Sequence, residues 1–222
     1  MNYSDIQKAT FIDRPNRFIA VIDLNGKREL CHVKNTGRLK ELLLPGATVW
    51  VEHCPLQTRK TKYDLIAVKK GEQIVNIDSQ APNKIAAEWL KTSGLFRSDS
   101  TLKSEVKCGD SRFDLWMEDT WIEVKGITLN QEGVARFPDA PTLRGVKHLN
   151  ELIKIAENGG KAMILFVVQM KGIRRVEPND QTHPEFGNAL RDAAKAGVKI
   201  LAIDCRVTPN EIIGDKILPV CL

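Results

Sequence analysis

The stretch Ser111-Arg-Phe-Asp-Leu-Trp-Met-Glu-Asp-Thr-Trp-Ile-Glu-Val-Lys125 decides how this chain is read. Phe113, Leu115 and Met117 alternate with polar or aromatic neighbours, and so do Ile122 and Val124. That period of two describes a pair of strands. Glu118-Asp119 lies between them as the turn, and a hairpin centred there sets Asp114 opposite Glu123, with Lys125 on the same face as Glu123. Facing carboxylates repel and weaken a ladder. A hard divalent cation between them reverses the sign, because Mg²⁺ takes one or two carboxylates together with water and phosphate oxygens. A lysine alongside steadies an attacking water or the negative charge that develops on phosphorus. The same residues also describe a solvated strand face with a weak Glu123–Lys125 pair. Glu-Asp is not a favoured two-residue turn, and a slip of one residue would separate the two acids.

Outward from this hairpin the pattern is mixed α/β. A helix opens at Pro82 or Asn83, runs to about Lys91 and ends at Gly94. Thr101–Cys108, Arg112–Met117 and Thr120–Lys125 form an antiparallel meander whose first turn is Cys108–Ser111. Thr142 to Glu157 is an amphipathic helix closed by Asn158-Gly159-Gly160. Ala162–Val168 is a continuous apolar run, the mark of a strand buried on both faces. Helix Glu185–Ala196 and strand Val198–Ile203 follow, which gives a mixed sheet between helices. The N-terminal part reads differently. Strands at Lys8–Arg14, Arg17–Leu24 and Arg28–Val33 (with Asn25-Gly26 as a hairpin turn) precede a short helix from Thr36 to Leu44. Strands at Thr48–Cys54 and Tyr63–Val68 come next, then a short one at Gln73–Asp78. Three strands, a helix and two strands is the order of an oligonucleotide-binding barrel. Ser79–Asn83 is the boundary, so residues 1–80 and 81–222 are expected to form two domains.

A chain of 222 residues has room for both. Its net charge of +5 is uneven. Residues 1–80 hold 13 Lys/Arg against 9 Asp/Glu, whereas residues 81–222 hold 20 against 19. A basic first third suits a phosphate backbone, and equally a merely soluble surface. No apolar run approaches the ~20 residues of a membrane helix, and Met1–Asp5 lacks an apolar signal core. The expectation is a cytoplasmic protein without a membrane partner. The five cysteines, odd in number and without a C-x-x-C pair, suit reduced thiols. Cys31-His32 and His53-Cys54 raise zinc, but strand neighbours point to opposite faces, so at most two of the four converge. Neither zinc nor an organic cofactor is expected.

An acid on the second meander strand, then Glu123-Val-Lys125 on the third, then a helix and a buried strand, resembles the core of the PD-(D/E)xK nucleases. A second likeness spans the chain. Asn35-Thr-Gly37-Arg38, Leu44-Pro-Gly46-Ala47, Ser111-Arg-Phe-Asp114, Glu123-Val-Lys125, Phe137-Pro-Asp139-Ala140, Arg144-Gly145, Lys147-His148-Leu149 and Leu165–Gln169 resemble the sugar fermentation stimulation protein A family. That resemblance implies an N-terminal OB-like five-stranded barrel, a C-terminal PD-(D/E)xK nuclease-like domain, DNA binding and a regulatory link to maltose metabolism. Carried over by residue, it implies Asp114 and Glu123 as metal ligands, the Val124 carbonyl as a further ligand and Lys125 as the catalytic residue that orients the nucleophile or stabilises negative charge. Glu88 matches an additional acid found in many such nucleases, against the plainer reading of a solvated helix glutamate.

Other residues carry expectations of their own. Arg144 and His148, four apart on a helix with Lys147 beside them, form either a phosphate grip or an exposed polar face. Gln169 ends the buried strand and is a further active-site candidate. In the barrel, Arg17, Lys34 and Arg38 are candidate phosphate contacts, and Asn35-Thr-Gly37 forms an anion nest or a helix cap. The leading expectation is sequence-non-specific DNA binding joined to a Mg²⁺- or Mn²⁺-dependent phosphodiesterase. The alternative is a non-catalytic DNA-binding regulatory factor with a structural nuclease-like domain. RNA is not excluded as the polymer, since backbone contacts dominate with either. The sequence carries no signal for oligomeric state.

Overall fold

The computed structural model describes residues 1–54, 60–109 and 111–222. The first part of the chain is a closed five-stranded barrel of β1 (Ile6–Asn16), β2 (Ile19–Leu24), β3 (Lys27–His32), β4 (Thr48–His53) and β5 (Tyr63–Lys70). Alternation places Ala20, Ile22 and Leu24 inside. Parallel pairing of Cys31 with Tyr63 closes the ring, and β6 (Gln73–Asn76) takes the remainder of the same β5 edge. Two register shifts let β1 bend around the barrel.

The helix expected at Thr36–Leu44 does not form. Gly37 and Pro45-Gly46 leave too few residues between breakers to repay helix nucleation. The segment instead makes a turn at Leu39, whose carbonyl accepts from the Leu42 and Leu43 amides (3.1 and 2.9 Å). Leu39, Leu42 and Leu43 are thereby buried in the barrel core. Arg14 organises this loop from outside, donating to the carbonyls of Arg17, Asn35, Gly37 and Arg38 at 2.7–3.0 Å.

The second part contains α1 (Ala81–Thr92), β7 (Leu102–Cys108), β8 (Ser111–Met117), β9 (Thr120–Ile127), β10 (Asn130–Gln131) and β11 (Val134–Phe137). It continues with α2 (Leu143–Glu157), β12 (Lys161–Val168), β13 (Arg175–Pro178), α3 (Pro184–Lys195), β14 (Lys199–Thr208) and β15 (Glu211–Leu218). Its main sheet runs β15-β14-β12-β9-β8-β7, with β12 parallel to both neighbours. Both faces of β12 are buried. Met163, Leu165 and Val167 pack in the cluster that contains α1, and Ile164, Phe166 and Val168 in the one that contains α2 and α3. The edge strand β15 and the small β10-β11-β13 sheet were not expected. β15 carries Gly214-Asp215-Lys216, which breaks its alternation, and the others are too short to show any. Asp110, within the expected turn at Cys108–Ser111, lies outside the described residues.

The decisive hairpin has the anticipated centre: Leu115 faces Ile122, Trp116 faces Trp121 and Met117 faces Thr120. Glu118 and Asp119 both adopt positive φ (46° and 60°), the primed geometry that suits strand twist. An unfavoured glutamate stands there because its Oε1 accepts from the Arg97 amide (2.7 Å) and from the Ser100 hydroxyl. Among the described residues Asp119 has no such partner, so Asp119→Gly is expected to stabilise the protein by about 0.5–1 kcal/mol. Urea unfolding would measure this, and a lower midpoint would contradict the strain argument.

Candidate active site

Beyond Leu115–Ile122 the β8–β9 ladder opens, and the Asp114 side chain occupies the opening. Its Oδ2 accepts the Val124 amide (2.8 Å) and its Oδ1 accepts Asn83 Nδ2 (2.9 Å) from the first turn of α1. Burial pushes the Asp114 carboxyl above its ordinary pKa, and the negative charge of Glu123 adds to this. The two bonds and the Lys125 charge offset it only in part.

Glu123 is 2% exposed. Its Oε1 accepts from the Lys125 ammonium and from His148 Nδ1 (2.5 Å), which reaches it from α2. Burial alone would raise this carboxyl, but the His148 bond and the Lys125 charge outweigh it and hold the pKa below the ordinary range. Glu123 is therefore the ready anion of the pair and Asp114 the reluctant one. Glu123 Oε2 is buried and has no hydrogen-bond partner among the described residues.

These residues fit a divalent cation. A buried, unpartnered carboxylate oxygen is costly, and so is an acid disfavoured by its neighbour's charge; a cation that reached both would relieve both. Asp114 and Glu123 are oxygen donors of the kind Mg²⁺ and Mn²⁺ prefer.

A cleft of about 160 Å³ is lined by Asn83 and Val124, the two residues that hold Asp114, and by Asn35, Ser79, Arg136 and Asp139. Gln169 also lines it, as expected of a residue ending the central strand. Its amide is nevertheless committed, with Nε2 donating to Asn76 Oδ1 and the Asp78 carbonyl (2.9 and 3.0 Å), which ties the end of the barrel to the sheet. Asn35 Oδ1 accepts the Gly37 amide (2.8 Å), so this segment is an Asx turn and not a helix cap. A Cβ on Gly37 would sit 2.7 Å from Asp139 Oδ2, so a larger residue there would push that carboxylate aside.

Three expected site residues lie elsewhere or act differently. Glu88 is exposed and pairs with the Met1 ammonium (2.9 Å), not with Asp114; Asn83, one turn earlier, is the α1 residue at the site. Lys34 is not a free phosphate contact, because its ammonium lies between Asp64 and Asp78 (3.3 and 3.2 Å). His148 is not part of an exposed grip with Arg144, because it is buried against Glu123. Arg17, Arg38, Arg144 and Lys147 are exposed. Of the residues weighed for zinc, His53 pairs with Asp5 (2.8 Å), and His32 approaches Asp64 (3.3 Å). Cys54 Sγ donates toward Glu52 and Asp64 (3.8 Å each), and Asp64 in turn pairs with the Lys34 ammonium (3.3 Å).

A closed barrel followed by a mixed sheet, with an acid at the opening of one hairpin strand and Glu-x-Lys on the next, defines an OB-barrel protein with a restriction-endonuclease-like second half. Residues 12–77 match the family model described as SfsA N-terminal OB domain, and residues 80–211 match that of the Sugar fermentation stimulation protein RE domain. The chain belongs to the sugar fermentation stimulation protein family. It is 51% identical over 216 residues to a sugar fermentation stimulation protein homolog of Desulfitobacterium hafniense (strain Y51), covering 96% of this chain and 94% of that one. The homolog of Clostridium beijerinckii is 49% identical, with 96% of each chain covered. Among solved structures, SfsA of Pyrococcus furiosus in complex with Ca²⁺ superposes with a TM-score of 0.87 at 29% identity, covering 100% of this chain and 98% of that one.

Proposed function

We propose that this protein binds DNA without regard to sequence and hydrolyses its phosphodiester bonds with Mg²⁺ or Mn²⁺ held by Asp114 and Glu123. The observation that carries this reading is the stranded, buried Glu123 Oε2 beside an Asp114 carboxyl that Glu123 itself disfavours as an anion. The Ca²⁺ named for the Pyrococcus furiosus relative supports it, since Ca²⁺ prefers the same oxygen donors. A bound divalent ion would polarise the scissile phosphate and lower the pKa of a water.

The protein's own groups do the rest. Asn83 and the Val124 amide, both from residues that line the cleft, hold Asp114. Lys125, kept beside Glu123, supplies positive charge where negative charge accumulates on the phosphate. The Val124 carbonyl is the proposed main-chain ligand. Arg17 and Arg38 on the barrel, with Arg144 and Lys147 on α2, position the strand through its phosphates, which read no sequence. In this reading residues 1–80 track the polymer and residues 81–222 cut it. No helix among the described residues is long and apolar enough to cross a membrane, and a cytoplasmic location remains part of the proposal.

The test is a divalent-metal titration of purified protein against duplex, single-stranded and branched DNA and against RNA. The expected result is cleavage in Mn²⁺ or Mg²⁺ that EDTA abolishes, with salt-sensitive binding in either case. Binding without metal uptake and without cleavage of any of these polymers would replace this reading with that of a non-catalytic DNA-binding factor.

A further inference from the structure

The two oxygens of Glu123 keep unequal company. Oε1 takes both available donors, Lys125 from two residues along the strand and His148 Nδ1 from α2. Oε2 takes none among the described residues, although it is buried. A histidine serving only to tie a helix to a sheet would leave no reason for this asymmetry, since buried carboxylates in ordinary cores have both oxygens satisfied. The histidine is itself held firmly. It is 6% exposed and its ring packs on Phe113 at 6.0 Å between centroids. It stands in the buried α2 stripe of Gly145, His148, Leu149 and Leu152. The acceptor is an anionic carboxylate, so Nδ1 carries the hydrogen.

We infer that His148 is a positioning residue: by holding Oε1 it fixes the Glu123 rotamer that leaves Oε2 to a cation, which Oε2 would ligate when one is bound. Lys125 cannot set that rotamer alone, because its ammonium ends a flexible four-carbon stem, whereas the imidazole is fixed by α2 packing. This assigns Oε2 as the metal-facing atom and gives α2 a part in the site that no acidic residue on that helix supplies. It rests on the hydrolytic reading above. Partners of this kind, one bond removed from the ion, typically change metal affinity 10–100-fold when lost.

The test compares Mn²⁺ binding, by electron paramagnetic resonance, for the wild type, His148→Phe and His148→Asn. Phe keeps a ring against Phe113 without the donor; Asn places an amide nitrogen near Nδ1. The expected result is Mn²⁺ affinity lowered about 10–100-fold in H148F and restored to within about threefold in H148N, with metal-free melting curves unchanged in H148N. Unaltered affinity in H148F overturns the inference, and so does equal loss in both variants. If H148F does not fold, the ring ¹⁵N–¹H resonance of His148 in the wild type decides. It must move on saturation with Mg²⁺, and a resonance that stays put overturns the role. A wild type that takes up no Mn²⁺ at all sinks the parent reading and this one together, whereas normal uptake with indifferent variants sinks this one alone.

Discussion

Asp114→Asn is expected to remove metal-dependent cleavage, by at least about a thousandfold or roughly 4 kcal/mol of transition-state stabilisation. Nucleic-acid affinity in EDTA should stay within about twofold of the wild type. The separation follows from the bonding at Asp114. An asparagine still accepts the Val124 amide through its carbonyl oxygen, and Asn83 can turn its own amide to receive the new donor. The fold of the hairpin is therefore kept, and what is lost is a negative oxygen donor. The substitution also removes the repulsion from Glu123, so metal-free D114N should be the more stable protein at neutral pH, by about 1 kcal/mol or about 2–4 °C in melting temperature.

The pH dependence has a definite sign. The folded-state pKa of Asp114 lies above its unfolded value. The folded chain therefore binds more protons between the two values, and stability falls as pH rises through that window. The advantage of D114N should vanish in acid below the ordinary aspartate range and be complete once Asp114 ionises in the folded wild type. Metal-dependent cleavage that survives in purified D114N would show that Asp114 is not a ligand. A D114N advantage that is independent of pH would show that the repulsion argument is mistaken.

Lys34→Met is expected to cost about 3 kcal/mol, about 6–12 °C in melting temperature, with little change in nucleic-acid affinity at temperatures where the variant is folded. The Lys34 side chain is 15% exposed and bridges Asp64 and Asp78, whose own side chains are 5% and 1% exposed. Burial by itself would lower the lysine's pKa, but Asp78 and then Asp64 more than compensate and raise it. Its contribution is thus present throughout neutral pH and is lost only as pH climbs past the raised value. Methionine fills the space of the stem but leaves Asp78 with the Tyr3 hydroxyl and the Gln80 amide and no cation. Breaking a buried pair from one side leaves a charge uncompensated, which is the expensive case. Arg17→Ala and Arg38→Ala should do the reverse. Melting should hardly move, while the slope of log affinity against log salt falls by about one per residue removed. A Lys34→Met protein that melts like the wild type but loses affinity would return Lys34 to the phosphate-binding surface.

The hairpin that organises the site was legible because alternation fixes which side chains share a face, and the acids and lysine stood at spacings that only one register brings together. The apolar run of β12 was legible for a similar reason, since a strand buried on both sides has no polar face to break it. His148 was misplaced by one step of helical geometry. Paired with Arg144 it reads as surface, but with Gly145, Leu149 and Leu152 it falls in the buried stripe, and that second pattern was present in the sequence. Glu88 drew attention as a carboxylate, while the α1 residue that touches Asp114 is the neutral Asn83, whose type alone announces nothing. Lys34 and the segment after Asn35 were misread because both depend on distant partners: two aspartates from later in the chain, and a barrel end that takes up three leucines.

By itself the sequence determined the strands of the barrel, the meander and the buried central strand with their flanking helices, the register of the β8–β9 turn, and the identity of two acids and a lysine able to meet there. Those are consequences of local periodicity, which a dozen residues suffice to encode. Tertiary structure alone decided which oxygen of Glu123 is engaged and which is stranded, which cation is consumed by buried aspartates, and that His148 meets Glu123. Those outcomes depend on desolvation and on hydrogen bonds between groups tens of residues apart, and no short stretch of chain contains both partners.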